Sequence, residues 1–358
     1  MAETTTPKYR FIDANSPKFI KQGSVTLGDI QGKIYVRRRV TEGYSDTDPV
    51  RGVFKPMHES FKKRKNKKVH RFANHYGEFI GYKIAEKIGI PACKVELARK
   101  SFQNKYSGKM QEVEGCISYI HKADDEDVIY AITMLEEYRR EVLDKKGERT
   151  TSSDNNNFEV IMGAVEYYLK TKAHHSDSEI NEVKAQIIEM TVFDCVFGNS
   201  DRSDDNWALI YRSNLSGNGK ANKLELYPMY DDERILGLME REDNVQGMLE
   251  NKKAIQDYSD KVLNSRLGFP PERQMVHYAD MIQYLLKEYP GWTRRALEKV
   301  FQFKEKDLDE ILDNCEGLED SYKQFAKEIY TQRMTRVREI LAKHYMEQTE
   351  RKSGGEEL

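Results

Sequence analysis

"GNSDRSDDNW", residues 198–207, decides how the chain is read. These ten residues hold a Gly-Asn turn, the acids Asp201, Asp204 and Asp205, one arginine and a second amide. Carboxylates this close repel one another. A loop that keeps them together points to a bound cation or a moved proton. Just before it, Ile180, Val183, Ile187, Met190 and Phe197 recur at helical spacing, which predicts a helix over 178–197. Just after it, "WALIYR" and "KLELYPM" read as two strands, and the second runs into "PMYDDE".

That order makes a constellation. Asp201 and Asn206 have a D-x-x-x-x-N spacing, and Asp231 follows the second strand. A hairpin of the two strands returns the second strand's end to the first strand's start, so Asn206 is expected near Asp231. An amide oxygen and a carboxylate suit Mg²⁺, which takes oxygen ligands and keeps several waters or phosphate oxygens. Asp201, about one turn away, is placed to accept a proton from an attacking hydroxyl. Phosphoryl transfer uses this division of labour. Asp, Asn and Gly are also common turn and cap residues, so one of them alone would say little. Asp204, Asp205 and Asp232 read as loop-capping or solvent-facing. Arg202 reads as a surface residue or as the partner of Asp201, Asp231 or a phosphorylated side chain.

Upstream, between about residues 23 and 122, "SVTLGDI", "KIYVRRRV", "RGVFKP", "CKVELARK" and "GCISYI" read as short strands. One helix interrupts them: "GEFIGYKIAEKIG" puts Ile80, Ile84 and Ile88 on one face and closes at Gly89. "GVFKP" sets Lys55 in a strand among apolar neighbours, and Glu78, early in that helix, is its expected partner. A Lys–Glu pair of this kind holds α- and β-phosphates in the kinase architecture. Taken singly, Lys55 has a second, less favoured reading as a snorkelling edge-strand lysine. Glu78 likewise suits the positive end of a helix. Gly23, Gly28 and Gly32 lie between strands and could bring backbone N–H groups to phosphates, although the spacing is not GxGxxG.

The chain has 358 residues, enough for two domains or lobes. A charged fraction of 33% and a mean hydropathy of -0.79 predict a highly solvated surface. The net charge of -2 argues for neither nucleic acid nor membrane as a bulk partner. No signal peptide and no membrane span are expected, and four scattered cysteines without a CxxC predict buried thiols in a reducing, cytoplasmic setting. The expected organisation is α+β: a flexible lead-in over 1–22, a β-rich ATP-binding lobe over 23–122, a mostly helical catalytic lobe over 123–347, and a charged tail over 348–358. Helices are expected at 126–145, 157–172 and 178–197, and the final one carries Phe325, Ile329, Val337 and Leu341.

The order "GVFKP … GEFIGYKIAEKIGIP … CISYI … VFDCVFGNSDRSDDNWALI … LYPMYDDE" resembles the HipA-like kinases, a bacterial branch of the two-lobed protein-kinase-like fold. The resemblance covers about residues 25–240. It implies an ATP- and Mg²⁺-dependent kinase with Asp201 as base, Asn206 and Asp231 as metal ligands, and Lys55 on the nucleotide with Glu78 behind it. The adenine is expected along "CISYIHK", against backbone groups near Ser118 and Ile120. The expected acceptor is a Ser or Thr hydroxyl of a protein, including this chain itself; Ser24 is the serine nearest the expected phosphate loop. The family loop often reads "GN-D-(A/D)-H-x-x-N", and here Arg202 and Ser203 depart from it. HipA proteins proper carry an additional N-terminal subdomain, whereas only about 22 residues precede the first strand here. An antitoxin partner is therefore left open.

Two other readings stay beside this one. "NSDRSDDNW" is also similar to the loop of type II phosphatidylinositol 4-kinases, which implies a lipid or small-molecule kinase on the same core. A non-catalytic nucleotide-binding module is the third. Lys and Arg fill seven of the eleven positions in "FKKRKNKKVHR", residues 61–71, a stretch that suits a polyanion or a solvated loop.

Overall fold

The computed structural model describes residues 9–14, 19–24, 34–38, 51–57, 59–61, 69–103, 110–120, 126–146, 158–212, 223–260 and 277–353. Gly28, Gly32 and positions 62–68 of the basic stretch lie outside the described residues. The strands are β1 (Ile12–Asp13), β2 (Phe19–Ser24), β3 (Ile34–Arg38), β4 (Arg51–Pro56), β5 (Glu59–Phe61), β6 (Val69–Arg71), β7 (Val95–Gln103), β8 (Met110–Tyr119), β9 (Glu126–Tyr130), β10 (Ala208–Arg212) and β11 (Lys223–Leu226). The helices are α1 (Asn74–Ile88), α2 (Ala131–Tyr138), α3 (Phe158–Thr171), α4 (Asp177–Phe197), α5 (Glu242–Leu249), α6 (Lys252–Ser259), α7 (Tyr278–Glu288), α8 (Pro290–Val300), α9 (Glu305–Asp313) and α10 (Asp320–Ser353).

The chain forms two compact units, each assembled from three segments. The first comprises Met1–Lys122, Tyr230–Lys252 and Lys304–Lys327; the second comprises Ala123–Met229, Lys253–Phe303 and Glu328–Leu358. A linear division at 122/123 does not anticipate this interleaving: Asp231, 176 positions after Lys55, belongs to the unit that holds Lys55.

The first unit is built on a six-stranded sheet in the order β1-β7-β8-β4-β3-β2. Cys116, Ile117, Ser118 and Tyr119 of β8 are all buried, as a central strand covered on both faces requires. On α1, Ile80 and Ile84 are fully buried and Ile88 nearly so, and the helix closes at Gly89 as its spacing predicts. Residues 9–14 and 19–24 differ from the expected lead-in. Ile12–Asp13 pairs in parallel with Ala98–Arg99 of β7, and Phe19–Ser24 pairs with Ile34–Arg38. The physical reason is that β1 covers what would otherwise be the open edge of β7.

In the second unit, helix is found where it was expected over α3 and α4, but 126–145 is divided. Glu126–Tyr130 is a strand against β10, with Ile129 opposite Leu209, and helix begins only at Ala131. Val128, Ile129 and Tyr130 suit a pleated strand, and β10 needs a partner on the side away from β11. Helix α4 starts on a capping box. The Ser176 hydroxyl accepts from Glu179 N at 3.4 Å, and the Glu179 carboxylate accepts from Ser176 N at 2.9 Å. The helix packs on α3, α7, α8 and β11, and every residue from Met190 to Phe197 is buried. Helix α10 runs to Ser353, past the expected fraying point at 348. All four cysteines are buried and none is in a disulfide. No helix among the described residues is long and apolar enough to cross a membrane.

Candidate active site

The first unit brings together three of the residues picked out in sequence. Lys55 points inward from β4, beside fully buried Phe54, and is itself 8% exposed. Its ammonium donates to the Glu78 carboxylate, from the first turns of α1, and to Asp231 Oδ1 at 2.7 Å. A lone buried ammonium is costly, and these two carboxylates are what make the position tolerable. Burial alone would lower the Lys55 pKa, but Asp231 and Glu78 outweigh it and hold it well above its usual value. Burial pushes Glu78 up, to about 8, against the pull of the Lys55 ammonium, and Asp231 adds to the push. Lys55 therefore stays charged between the two carboxyl groups.

Two local features set this triad. Asp231 has φ of 64°, in the left-handed region that Asp and Asn tolerate better than most residues. The segment it opens lies directly on α1. A Cβ on Gly77 would come 2.4 Å from the Glu233 carbonyl oxygen, and one on Gly81 would come 2.8 Å from Asp232 Cβ. These two glycines, one turn apart and flanking Glu78, let the backbone after Asp231 approach the helix. Asp232 is consequently buried at 3% exposure, and the expectation of a solvent-facing Asp232 is corrected.

The quoted loop belongs to the second unit. Helix α4 ends at Gly198, whose φ of 80° turns the chain out of the helix, and Arg333 Nη1 donates to the Cys195 carbonyl at 2.7 Å. The loop is then laced by its own atoms. Asn199 Oδ1 accepts from Asp201 N at 3.3 Å, Asp201 O accepts from Ser203 N at 2.8 Å, and Ser203 O accepts from Asn206 N at 2.9 Å. Asn206 Nδ2 donates to Asp201 O at 2.6 Å, which ties the two ends of the D-x-x-x-x-N spacing. That bond commits the amide nitrogen and turns the amide oxygen, the atom able to ligate a metal, the other way. Asp201 and Asn206 are both partly exposed.

Arg202 is not at the surface. It is 2% exposed, and its Nε and Nη2 donate to Asp194 Oδ2 and Oδ1 at 2.9 and 3.0 Å while Nη1 donates to Asn206 O at 3.0 Å. One guanidinium thus joins the buried end of α4 to the end of the loop. Asp194 is the member that sequence reasoning missed. The available signal was a single acid inside "MTVFDCVF": a carboxylate in a run this apolar needs a buried cation, and Arg202 follows eight residues later.

The hairpin on which the Asn206–Asp231 expectation rests is present. β10 and β11 pair with Leu209 opposite Leu226, and Tyr227 N donates to Ala208 O at 2.8 Å. Asn206 and Asp231 themselves fall in different units. On β8, Ser118 is buried and paired with both Val53 and Val95. The N–H groups of Tyr119 and Ile120 donate to Lys94 O and Arg51 O at 2.9 and 2.8 Å. The Tyr119 and Ile120 N–H groups are therefore used within the sheet. Residues 121–125 lie outside the described residues.

Among solved structures, the chain is similar to CtkA, a proinflammatory kinase of Helicobacter pylori. The TM-score is 0.64 at 14% identity, over 94% of this chain and 98% of that one. The chain has a kinase-like fold. Fainter likenesses, with a TM-score of 0.39 and 12% identity each, are to a HipA–HipB toxin–antitoxin complex with operator DNA from Shewanella oneidensis and to the Golgi casein kinase. The first spans 82% of this chain and 58% of that one; the second spans 96% and 73%. At that score neither adds to the assignment. No protein-family model and no curated protein sequence matches the chain.

Proposed function

We propose that this chain is an ATP- and Mg²⁺-dependent kinase that transfers the γ-phosphate to a Ser or Thr hydroxyl of a protein. The observation that carries the reading is the Lys55 ammonium held between Glu78 and Asp231, three residues from a strand, a helix and a post-hairpin turn. Nothing about packing alone requires a lysine there, since a hydrophobic residue would fill the position at lower cost.

In this reading Lys55 binds the α- and β-phosphates and Glu78 fixes its direction. Asp231 and Asn206 offer one carboxylate and one amide oxygen, a donor set that fits Mg²⁺ with its remaining positions left to water and phosphate. Among the described residues no cluster of three or more His, Cys, Asp or Glu is placed to hold a metal ion. Magnesium ATP, when bound, supplies the phosphoryl group and the positive charge that offsets its oxygens. Asp201 accepts the proton of the attacking hydroxyl, and Arg202, through Asn206 O, keeps the loop in register. Gly28 and Gly32 are assigned to the phosphates, and the adenine to backbone groups near Ser118 and Ile120.

Calorimetric titration with ATP tests the assignment. Mg²⁺-dependent binding should be present in the wild type, weakened in Lys55→Met and Asp231→Asn, and retained in Asp201→Asn. Binding that is indifferent to Lys55 and Asp231 would refute it. The "DRSDDNW" loop favours a second acceptor class, an inositol lipid. Label transfer to phosphatidylinositol in anionic vesicles, with none to protein, would select that acceptor.

A further inference from the structure

Helix α1 carries Glu78, and the N-terminal residues are built onto the same helix. Tyr9 N donates to Asn314 O and Glu316 N donates to Tyr9 O, both at 2.9 Å, so Tyr9 bridges in parallel to the turn between α9 and α10. Phe11 N donates to Glu316 Oε2 at 3.1 Å. The Arg99 guanidinium lies 4.5 Å from the Phe11 ring centroid and reaches Glu316 Oε1 at 3.5 Å. On α1, the Tyr9 ring meets Phe79 edge-on at 5.1 Å, and Phe11 meets Tyr76 and His75 at 6.0 Å each. Tyr76 closes the loop by donating its hydroxyl to Glu316 O at 2.7 Å.

The other end of the segment reaches the strand that carries Lys55. Ala14 N donates to Arg99 O at 2.8 Å, and Ala14, 1% exposed, is buried in one cluster with Phe54, Ala98, Ile117 and Tyr119. Phe54 precedes Lys55. Residues 9–14 therefore touch both elements whose spacing defines the Lys55–Glu78 pair. Residues 74–81 of α1 lie between this segment and the Asp232–Glu233 backbone that Gly77 and Gly81 admit. Tyr9 and Phe11 thus pack on the face of α1 that carries His75, Tyr76 and Phe79.

We propose that residues 9–14 are a positioning strap: their seating on α1 and on the Glu316 turn sets the Lys55–Glu78 pair and thereby the rate of phosphoryl transfer. The inference rests on the kinase reading above. The strap acts through Glu78 and does not touch the reacting groups. Its seat is made of two aromatic rings, buried Ala14, the Glu316 carboxylate and a few backbone bonds, and an equivalent peptide offered in excess should displace the weakened segment from it.

The experiment uses the full chain with Tyr9→Ala and Phe11→Ala together, beside Phe11→Tyr, which retains the ring under Arg99. The double variant is expected to keep the wild-type circular dichroism spectrum and to lose at least about tenfold in kcat, the scale on which small misplacements act. Phe11→Tyr should transfer phosphate at the wild-type rate. Hydrogen exchange should accelerate on α1 and not on α4. A synthetic peptide of residues 7–16 should restore the double variant's rate saturably, and the same peptide with alanine at positions 9 and 11 should not. Where the double variant keeps the wild-type circular dichroism spectrum before the peptide is added, restoration in trans is not the recovery of an unfolded fraction. A double variant with unchanged kcat, or one that the peptide does not restore, overturns the proposal while leaving the kinase reading in place. A wild-type chain that transfers no phosphate overturns the kinase reading and the strap's catalytic role with it.

Discussion

Asp194→Ala is the substitution whose cost follows most directly from the structure. The Asp194 side chain is fully buried and that of Arg202 is 1% exposed. Two parallel bonds of 2.9 and 3.0 Å join them, which is the strong, bidentate form of the pair. Removing the carboxylate leaves a guanidinium out of water with those two bonds gone. Breaking a buried pair from one side costs about 3–5 kcal/mol. For a cooperative unit of roughly 150–250 residues that corresponds to a fall of about 6–20 °C in Tm. The assay is urea denaturation of Asp194→Ala, Arg202→Met, Asp194→Leu and the double variant Asp194→Leu/Arg202→Met. The double variant should recover most of the loss, because an apolar pair of similar volume often matches or exceeds a buried ion pair. It should not recover phosphoryl transfer, because the bond from Arg202 to Asn206 O is gone. A cost below about 1 kcal/mol for Asp194→Ala, the range of an exposed pair, would refute the reasoning. So would purely additive single losses, which would mean that the residues do not interact.

Three further outcomes are expected. Glu78→Gln should lower stability by less than Asp194→Ala does, since Asp231 still holds Lys55 and the amide oxygen can still accept from it, while lowering kcat by about 10²-fold; a Glu78→Gln chain with the wild-type kcat in label transfer would contradict its role. Gly81→Ala forces a methyl group onto Asp232 Cβ at 2.8 Å and should weaken Mg²⁺-dependent ATP binding, measured by calorimetry, more than the exposed control Gly247→Ala, whose added Cβ meets nothing within 4 Å. His75 is buried among Phe11 and Tyr76, and burial lowers its pKa to about 3 from 6.5. The folded state thus resists protonation that the unfolded chain accepts. Its stabilising contribution is complete above pH 6.5 and is lost as the pH falls toward 3, amounting to about 2–3 kcal/mol by pH 4.5. His75→Phe should flatten that part of the stability–pH curve, and an unaltered slope would show that His75 does not titrate as its burial requires.

Much of the site was legible because its residues sit at places where local sequence rules are broken. A lysine among Val53 and Phe54, and an acid-rich loop after an apolar helix, each conflict with simple packing, and such conflicts mark functional positions. Periodicity was enough for α1, α3 and α4. What stayed hidden depends on distance along the chain. Asp194 reads as an interruption until Arg202 is seen folded back on it. Asp232 reads as a surface acid until Gly77 and Gly81 bring it against α1. The N-terminal residues read as a lead-in because a two-residue parallel strand has no pattern of its own, and its partner Ala98–Arg99 is more than 80 residues away. Glu126–Tyr130 was read as helix because its neighbours are helical; the strand is imposed by β10, a tertiary demand that local propensity does not contain.

The measurement that bears most directly on the central claim is single-turnover transfer of label from γ-labelled ATP with Mg²⁺, comparing the wild type with Asp201→Asn. The substitution keeps the loop's bonds to backbone, including the one from Asn206 Nδ2 to Asp201 O, and removes only the carboxylate proposed to accept the hydroxyl proton. The account predicts labelling of the chain itself or of an added protein by the wild type. It also predicts a fall of at least about 10²-fold in Asp201→Asn with ATP binding intact. Transfer at the wild-type rate by Asp201→Asn would contradict the assigned base, and a wild type that binds Mg²⁺ and ATP but labels neither protein nor lipid would contradict the kinase itself.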